Sequence, residues 1–234
     1  MKTLFKPFRF IAFAALTLIV ASCARDTSDN VNQDSIYARY VLEYNANTDI
    51  TVARVQFRMS GATGTILQLT APATVSFNGD QLTWNNGLAY YSNEYAGLVT
   101  SGNFSYTDLD NNTFTNTASV PSSAEFPASL DTLKISSAYE MFWVGDPLGV
   151  DENIWVSVDG TGTTGSGQIF TTYTDGASSI IMGLNQLQNL GTGVADNIWM
   201  DRNIETDLQQ GTSKGGVIVG RYKANTLQNI PVTN

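Results

Sequence analysis

Few side chains in this sequence could perform covalent or acid–base chemistry. The 234 residues include one cysteine, Cys23, and no histidine. The lack of histidine excludes serine–histidine catalysis, cysteine–histidine catalysis and the common zinc sites. Paired carboxylates are the general acid–base device that remains, and a lone thiol cannot form a disulfide within the chain. We therefore expect packed apolar cores to provide the stability of the folded part.

The segment before Cys23 has the layout of a secretory signal. Lys2, Lys6 and Arg9 form a positively charged start, and residues 10–21 are apolar. This apolar run is shorter than the roughly 20 residues that a membrane-spanning helix needs. The pattern therefore predicts a segment that directs export and is then removed.

The end of that segment resembles the lipobox of bacterial lipoproteins, with the sequence Leu18-Ile19-Val20-Ala21-Ser22-Cys23. In that family the cysteine sulfur accepts a diacylglyceryl group after cleavage. The resemblance implies a signal peptide over residues 1–22 and a palmitate-type lipid anchor on Cys23, and several acyl chains make a stable membrane anchor. The alternative is an ordinary signal peptide, or a membrane anchor, that contains a chance cysteine.

The resemblance also implies a location. Ala24 stands where the enterobacterial signal for retention in the inner membrane would place Asp. We therefore expect a cell-envelope protein, an outer membrane lipoprotein on either the periplasmic face or the cell surface.

The charge balance limits the partners of the folded part. The whole chain has 12 Lys and Arg against 21 Asp and Glu. Removal of residues 1–22 takes away three of the positive charges, so 9 remain against 21 and the net charge becomes −12. Nucleic acids and anionic lipid headgroups are recognised by clustered Lys and Arg, so this composition argues against both as partners.

The remaining chain is rich in Thr, Val, Tyr, Phe, Asn and Gly, and it lacks long helical periodicity. This composition predicts an all-β fold, which we interpret as two antiparallel β-sandwiches. Pro121 to Pro127 interrupts the strand pattern and marks the predicted linker. The predicted regions are a signal peptide at 1–22, a flexible tether at 23–34, a first β-sandwich domain at 35–120, a linker at 121–129, a second β-sandwich domain at 130–225 and a C-terminal tail at 226–234.

Each predicted domain has its own strand signals. In the first, alternating apolar residues predict strands at 36–44 and 53–59, and Asn78-Gly79 predicts a hairpin. In the second, seven short strands and a short helix at 184–190 resemble an immunoglobulin-like (Ig-like) sandwich, although the disulfide and tyrosine corner of antibody domains are missing.

A short sequence pattern that occurs twice in the chain indicates a binding surface. Glu152-Asn153-Ile154-Trp155-Val156 resembles Asp196-Asn197-Ile198-Trp199-Met200, and the sandwich assignment makes these two segments adjacent antiparallel strands. If the flanking aliphatic residues point into the core, Trp155 and Trp199 point outward. Such a pair suits stacking on a sugar ring or anchoring a protein partner. The alternative is that another part of the chain covers one or both tryptophans.

Other local patterns have simpler explanations. Tyr90, Tyr91 and Tyr95 lie in a segment that we interpret as a short helical turn, and they are either a binding platform or core-edge residues. The loop 108–112 resembles the start of a calcium-binding loop but lacks its later glycine and glutamate. The glycine-rich string at 160–165 precedes a predicted strand, not the helix that a phosphate site requires. We therefore expect neither a metal nor another cofactor.

The overall pattern resembles Bacteroidota-type lipoproteins that carry Ig-like β-sandwich domains, an uncharacterised family. The resemblance rests on the lipobox, the Asp- and Asn-rich tether and the pattern of short strands separated by turns. It implies a non-enzymatic module for binding, adhesion or scaffolding, whose partner is a glycan or an envelope protein. One alternative is a fimbrial or filament subunit. Another is a carboxylate-dependent glycan hydrolase using residues among Asp146, Asp151, Glu152, Asp196 and Asp201.

Overall fold

The computed structural model describes residues 25–163 and 165–234. The signal peptide at 1–22 and the lipidation site at Cys23 lie outside the described residues. Within these residues, helix α1 spans Leu184–Asn189, and short 3-10 helices span Ser28–Asn30 and Gln33–Ser35. The strands are β1 Arg25–Thr27, β2 Ile36–Asn45, β3 Ile50–Met59, β4 Ile66–Gln68, β5 Thr74–Phe77, β6 Asp80–Gln81, β7 Thr83–Asn85, β8 Tyr90–Ala96, β9 Ser101–Thr107, β10 Thr113–Ser119, β11 Ala124–Glu125, β12 Leu133–Lys134, β13 Tyr139–Phe142, β14 Val144–Gly145, β15 Glu152–Val158, β16 Gln168–Thr172, β17 Ser179–Met182, β18 Gly193–Asp207, β19 Gly216–Lys223 and β20 Leu227–Thr233.

The predicted all-β sandwich fold is confirmed. In the described part of the chain, the main sheet has 12 strands, eight of which run in the order β1-β4-β3-β2-β19-β18-β15-β16. Strands β7, β8, β12 and β20 pair alongside this path. A separate four-stranded sheet has the order β10-β9-β5-β6, and two small sheets consist of β11 with β14 and β13 with β17.

Two hydrophobic cores lie against this main sheet. The first contains buried residues between Ile36 and Ala118 together with Ile218, and its aromatic contacts include Phe57 with Tyr106, whose ring centroids are 4.5 Å apart. The second contains buried residues between Ala124 and Val232. Each core is enclosed because a sheet that is apolar on one face must bury that face against another layer.

One pair of strands joins the regions that contain the two cores. Strand β2 runs parallel to β19, with Ala38 opposite Gly216 and Asn45 opposite Lys223. Strand β3 pairs with the other edge of β2. The chain therefore forms one continuous sheet across its N-terminal and C-terminal parts, while the division at residues 121–129 stays a prediction.

Several local predictions are confirmed. Strands β5 and β6 form a hairpin whose turn residues Asn78 and Gly79 both have positive φ, at 50° and 92°. Helix α1 occurs at the predicted position before β18. Strand β16 follows the glycine-rich string at 160–165, as expected for a hairpin loop.

The predicted helical turn around the three tyrosines is wrong. Residues Tyr90–Ala96 form strand β8, which pairs with β3 and β7. Tyr91 is buried against Phe57, and its hydroxyl accepts a hydrogen bond from the Leu69 amide at 2.7 Å. Sheet pairing decides the conformation here because the isolated segment has no strong helical or strand periodicity.

The N-terminal segment that is predicted to be a flexible tether packs against the first core in its described part. Strand β1 pairs in parallel with β4, and the side chains of Ser28 and Gln33 are buried. The Gln33 amide donates to the Ser28 carbonyl at 2.7 Å, and the Ser28 hydroxyl accepts from the Thr70 amide at 2.9 Å. Hydrogen bonds thus order a segment whose composition offers little apolar surface to bury.

The C-terminal tail predicted at 226–234 is also different in the structure. Strand β20 pairs antiparallel with β18 and parallel with β12. Val232 is buried in the second core, while Pro231 lies opposite Val194 within the β18 pairing. A proline is tolerated in a strand where its missing N–H does not interrupt the ladder.

Within residues 25–163 and 165–234, no helix has the length and apolar character needed to cross a membrane.

Candidate ligand-binding face

Trp155 and Trp199 lie on neighbouring strands, as the repeated sequence pattern predicts. Strands β15 and β18 are antiparallel, with Trp155 opposite Asp201 and Trp199 opposite Ser157. The alternating residues Ile154, Val156, Ile198 and Met200 are buried in the second core, while each tryptophan keeps 41% of its surface exposed. The two indoles therefore lie on the outer face of the main sheet; their role in binding stays a prediction.

An open cleft of about 480 Å³ lies beside Trp199 on this face. The rest of its lining is mainly polar, with amide, carboxylate and ammonium groups from Asn45, Asn197, Asp201, Lys223 and Gln228. Trp155 does not line the cleft but lies one strand away, opposite Asp201. The cleft thus combines an aromatic wall with several hydrogen-bonding groups.

Asn47 holds two sides of this cleft together. Its side-chain oxygen accepts from the Thr226 amide at 2.8 Å, and its side-chain nitrogen donates to the Ala224 carbonyl at 3.1 Å. The turn between β2 and β3 is thereby tied to the loop between β19 and β20. Residues about 180 positions apart form one wall, which local sequence patterns do not reveal.

A charged cluster occupies the centre of the same face. The Glu43 carboxylate accepts from Arg54 at 3.0 Å, from Lys223 at 3.1 Å and from Arg221 at 3.2 Å. Burial alone would raise the pKa of Glu43, but the three cations together hold it below its usual value. Glu43 is therefore an ionised, largely buried anchor for three cationic side chains.

Asp201 has a different electrostatic environment. Burial raises the pKa of Asp201, and nearby Glu43 acts in the same direction, whereas Arg221 and Lys223 oppose the shift. Its carboxylate lies 3.8 Å from the Arg221 guanidinium. Because Asp201 lines the cleft, its carboxylate is positioned to accept hydrogen bonds from hydroxyl groups of a ligand.

The other carboxylates proposed for hydrolysis are not gathered around Asp201. Glu152 forms an ion pair with Arg202, which is only 2% exposed, and also accepts from the Gly149 amide at 2.7 Å. Since neighbouring strand residues point to opposite faces, Arg202 and its partner Glu152 lie on the face away from Asp201.

The remaining hydrolase candidates are at other places. Asp146 and Asp151 lie in the segment between β14 and β15, where the Asp146 carbonyl accepts from Arg202 at 2.9 Å. Asp196 is an exposed residue of β18. Among the described residues, no group of three or more Asp, Glu, His or Cys side chains could hold a metal ion.

The loop that resembles a calcium site uses its carboxylate internally. Asp108 accepts hydrogen bonds from the Asp110 amide at 2.9 Å and from the Asn112 amide at 2.8 Å. Its second oxygen accepts from the Asn112 side chain at 3.0 Å. These contacts close the turn between β9 and β10.

Sequence reasoning missed the charged residues of this face. The alternation in β2 and β3 identifies Arg39, Glu43 and Arg54 only as outward residues of their strands. That outward alternation was the available signal, because it placed charged residues on one side of both strands. Their grouping with Arg221 and Lys223 depends on the β2–β19 pairing.

Comparison with known proteins found no matching family model and no matching curated protein.

Proposed function

We propose that this chain is a lipid-anchored cell-envelope protein of the Bacteroidota lipoprotein type, and that its folded part binds glycans without catalysing a reaction. The supporting observation is the cleft in which the exposed indole of Trp199 meets amide, carboxylate and ammonium groups. An aromatic ring stacks on the apolar face of a sugar, and the polar groups bind its hydroxyls. The lipid on Cys23 would place this surface at the outer membrane.

The second tryptophan extends the proposed surface. Trp155 and Trp199 are diagonal neighbours across β15 and β18, a relationship that brings large side chains within reach of each other. Asp201, which lines the cleft, lies on the same face directly opposite Trp155. A ligand of more than one sugar unit could therefore contact both indoles and the carboxylate together.

A glycan-array screen followed by tryptophan-fluorescence titration tests this proposal. We expect a bound glycan to change the emission of the protein and Trp199→Ala to weaken binding at least about tenfold, which corresponds to about 1.4 kcal/mol. Trp155→Ala should weaken the binding of longer glycans more than that of monosaccharides. Phe142→Ala removes an aromatic residue that is 56% exposed on another sheet and should leave affinity unchanged.

Two results would contradict the proposal. The first is the absence of binding to every glycan on the array by protein that unfolds cooperatively. The second is equal affinity for the wild type and the variant carrying both Trp155→Ala and Trp199→Ala. Binding of a protein partner that these two substitutions abolish would instead favour an adhesion or scaffold role.

A further inference from the structure

Cationic and acidic side chains share the outer face of the main sheet. The whole chain has a net charge of −9. Among the described residues, five cations stand on this face: Arg39 on β2, Arg54 and Arg58 on β3, and Arg221 and Lys223 on β19. Five carboxylates share it: Glu43 on β2, Glu94 on β8, and Asp201, Glu205 and Asp207 on β18. The registers place Arg39 opposite both Gln56 and Val217, and Arg54 opposite Val41. This grouping arises from strand pairing and not from a basic stretch of sequence.

The cations differ in how far the protein itself neutralises them. Arg54, Arg221 and Lys223 share the carboxylate of Glu43. Arg58 donates to the Gln56 side chain at 2.9 Å and to the Gly64 carbonyl at 3.0 Å. The Arg39 guanidinium has no hydrogen bond or ion pair with another described residue, although Glu205 lies near enough to favour its charge. Among the described cations of this face, Arg39 is therefore the one whose guanidinium donors are all without a protein partner.

Arg39 borders a small cleft of its own. This cleft has a volume of about 190 Å³ and is lined by Arg39, Val41, Arg54, Gln56 and Tyr90, without a carboxylate. The Arg54 guanidinium carbon lies 5.8 Å from the centre of the Tyr90 ring. Burial, followed by the charges of Arg54 and Arg221, lowers the pKa of Arg39, while Glu205 opposes the shift. Because no carboxylate lines the cleft itself, an anion there would have the Arg39 guanidinium as a direct partner.

The cleft is separate from the one beside Trp199. Arg39 and Asn45 belong to the two clefts and are six residues apart on the extended strand β2, which corresponds to about 20 Å. Glu43 lies between them on the same face. An extended ligand could therefore occupy both clefts, whereas a single small group could occupy only one.

We propose that the cleft formed by Arg39, Arg54 and Tyr90 binds the carboxylate of an acidic saccharide, with the Arg39 guanidinium as its principal donor. A guanidinium binds a planar carboxylate through two parallel hydrogen bonds. Val41 and the ring of Tyr90 provide apolar surface for the sugar ring that carries the carboxylate. This assignment of ligand class rests on the proposed glycan-binding function.

Calorimetric titration with a galacturonate trisaccharide and its fully methyl-esterified form tests the proposal, because the ester keeps the sugar framework and removes the charge. We expect the acid to bind at least about tenfold more tightly than the ester, as for hydrogen bonds to a charged group. Arg39→Gln should remove this difference, and Arg39→Lys should restore part of it. Higher salt should weaken binding of the acid more than binding of the ester.

Lys134→Gln is the matched control, because it removes one positive charge from an exposed position on β12. It should leave the preference for the acid intact. In the wild-type protein, the side-chain NMR signals of Arg39 and Tyr90 should shift on addition of the acid, which provides a test that needs no substitution.

Several results would overturn this proposal. These are equal affinity for acid and ester, equal effects of Arg39→Gln and Lys134→Gln, or a triglutamate peptide that binds in this cleft as tightly as the trisaccharide. Titration of the wild type with neutral glycans and with the acid separates this proposal from the preceding one. If neutral glycans fail to bind the wild type while the acid still shifts Arg39, the Trp199 site fails and the carboxylate site stands.

Discussion

Glu43 on β2 and Arg221 on β19 form an ion pair of 3.2 Å between residues 178 positions apart in the chain. Their strands are the parallel pair that joins the N-terminal and C-terminal parts of the main sheet. Arg54 and Lys223 bind the same carboxylate from either side. Glu43 therefore connects three strands at the centre of the proposed ligand-binding face.

Glu43→Gln should lower the free energy of unfolding by about 2 kcal/mol. The substitution leaves three cations around a neutral amide, and the expected cost lies between those of a surface ion pair and a fully buried one. Urea unfolding with an unchanged m-value measures the effect. Glu94→Gln, at an exposed position on β8, should stay within about 0.5 kcal/mol of the wild type. Equal stabilities of the two variants would contradict the assignment.

The same carboxylate predicts how stability depends on pH. Because the pKa of Glu43 is lower in the folded protein, its contribution is complete above the ordinary value of 4.5 and is lost as the pH falls through the folded value. The free energy of unfolding should therefore decrease below about pH 4.5, and less steeply in Glu43→Gln. Urea titrations between about pH 3 and pH 7 measure both slopes; a parallel decrease in the two proteins would show that other groups cause the loss.

Asp201 should have the opposite effect. Its pKa is raised in the folded protein, so protonation as the pH falls favours the folded state and partly offsets the loss at Glu43. Asp201→Asn removes this offset, and the loss of stability on acidification should then be larger than in the wild type. The same urea titrations measure it, and a smaller loss in Asp201→Asn would show that the sign is wrong.

Arg202 provides a test of the buried charge on the other face of β18. Its guanidinium binds Glu152 and the carbonyls of Asp146 and Pro147, the latter two at 2.9 Å and 2.8 Å. Arg202→Met should lower the free energy of unfolding by about 3–5 kcal/mol, because Glu152 keeps its charge without its partner. Thermal and urea unfolding measure the loss.

The double variant is the control for that prediction. Adding Glu152→Gln to Arg202→Met removes the unpaired carboxylate and should recover about 1–2 kcal/mol. No recovery would mean that the cost arises from altered packing between the substituted side chain and the loop 146–152, and not from the buried charge.

Cys23→Ser tests the proposed membrane anchor. The wild-type chain expressed with its own signal should incorporate a labelled fatty acid and sediment with membranes, because several acyl chains make attachment stable. The variant should incorporate no label and appear in the soluble fraction. Ser22→Ala keeps a small residue beside the cysteine and should behave as the wild type. Fatty-acid labelling of Cys23→Ser, or an unlabelled wild type, would contradict the prediction.

Local sequence patterns were sufficient for much of the fold. Alternating apolar residues predicted β2, β3 and β15, and Asn78-Gly79 predicted its hairpin, because strand period and turn chemistry depend on neighbouring residues. The repeated Asn-Ile-Trp segment even predicted which strands place Trp155 and Trp199 on one face. The signal at Cys23 is also a purely local pattern, and it stays a prediction because it lies outside the described residues.

Only the tertiary structure decided which distant segments meet. The parallel pairing of β2 with β19 brings Arg39 and Glu43 beside Arg221 and Lys223, and Asn47 beside Thr226. Residue alternation does not specify such a pairing, because alternation is a property of one strand while the pairing joins strands that are distant in the chain. Local sequence therefore determined strands such as β2, β3 and β15 and the direction of their side chains. Long-range pairing determined strands β8 and β20 and the two clefts.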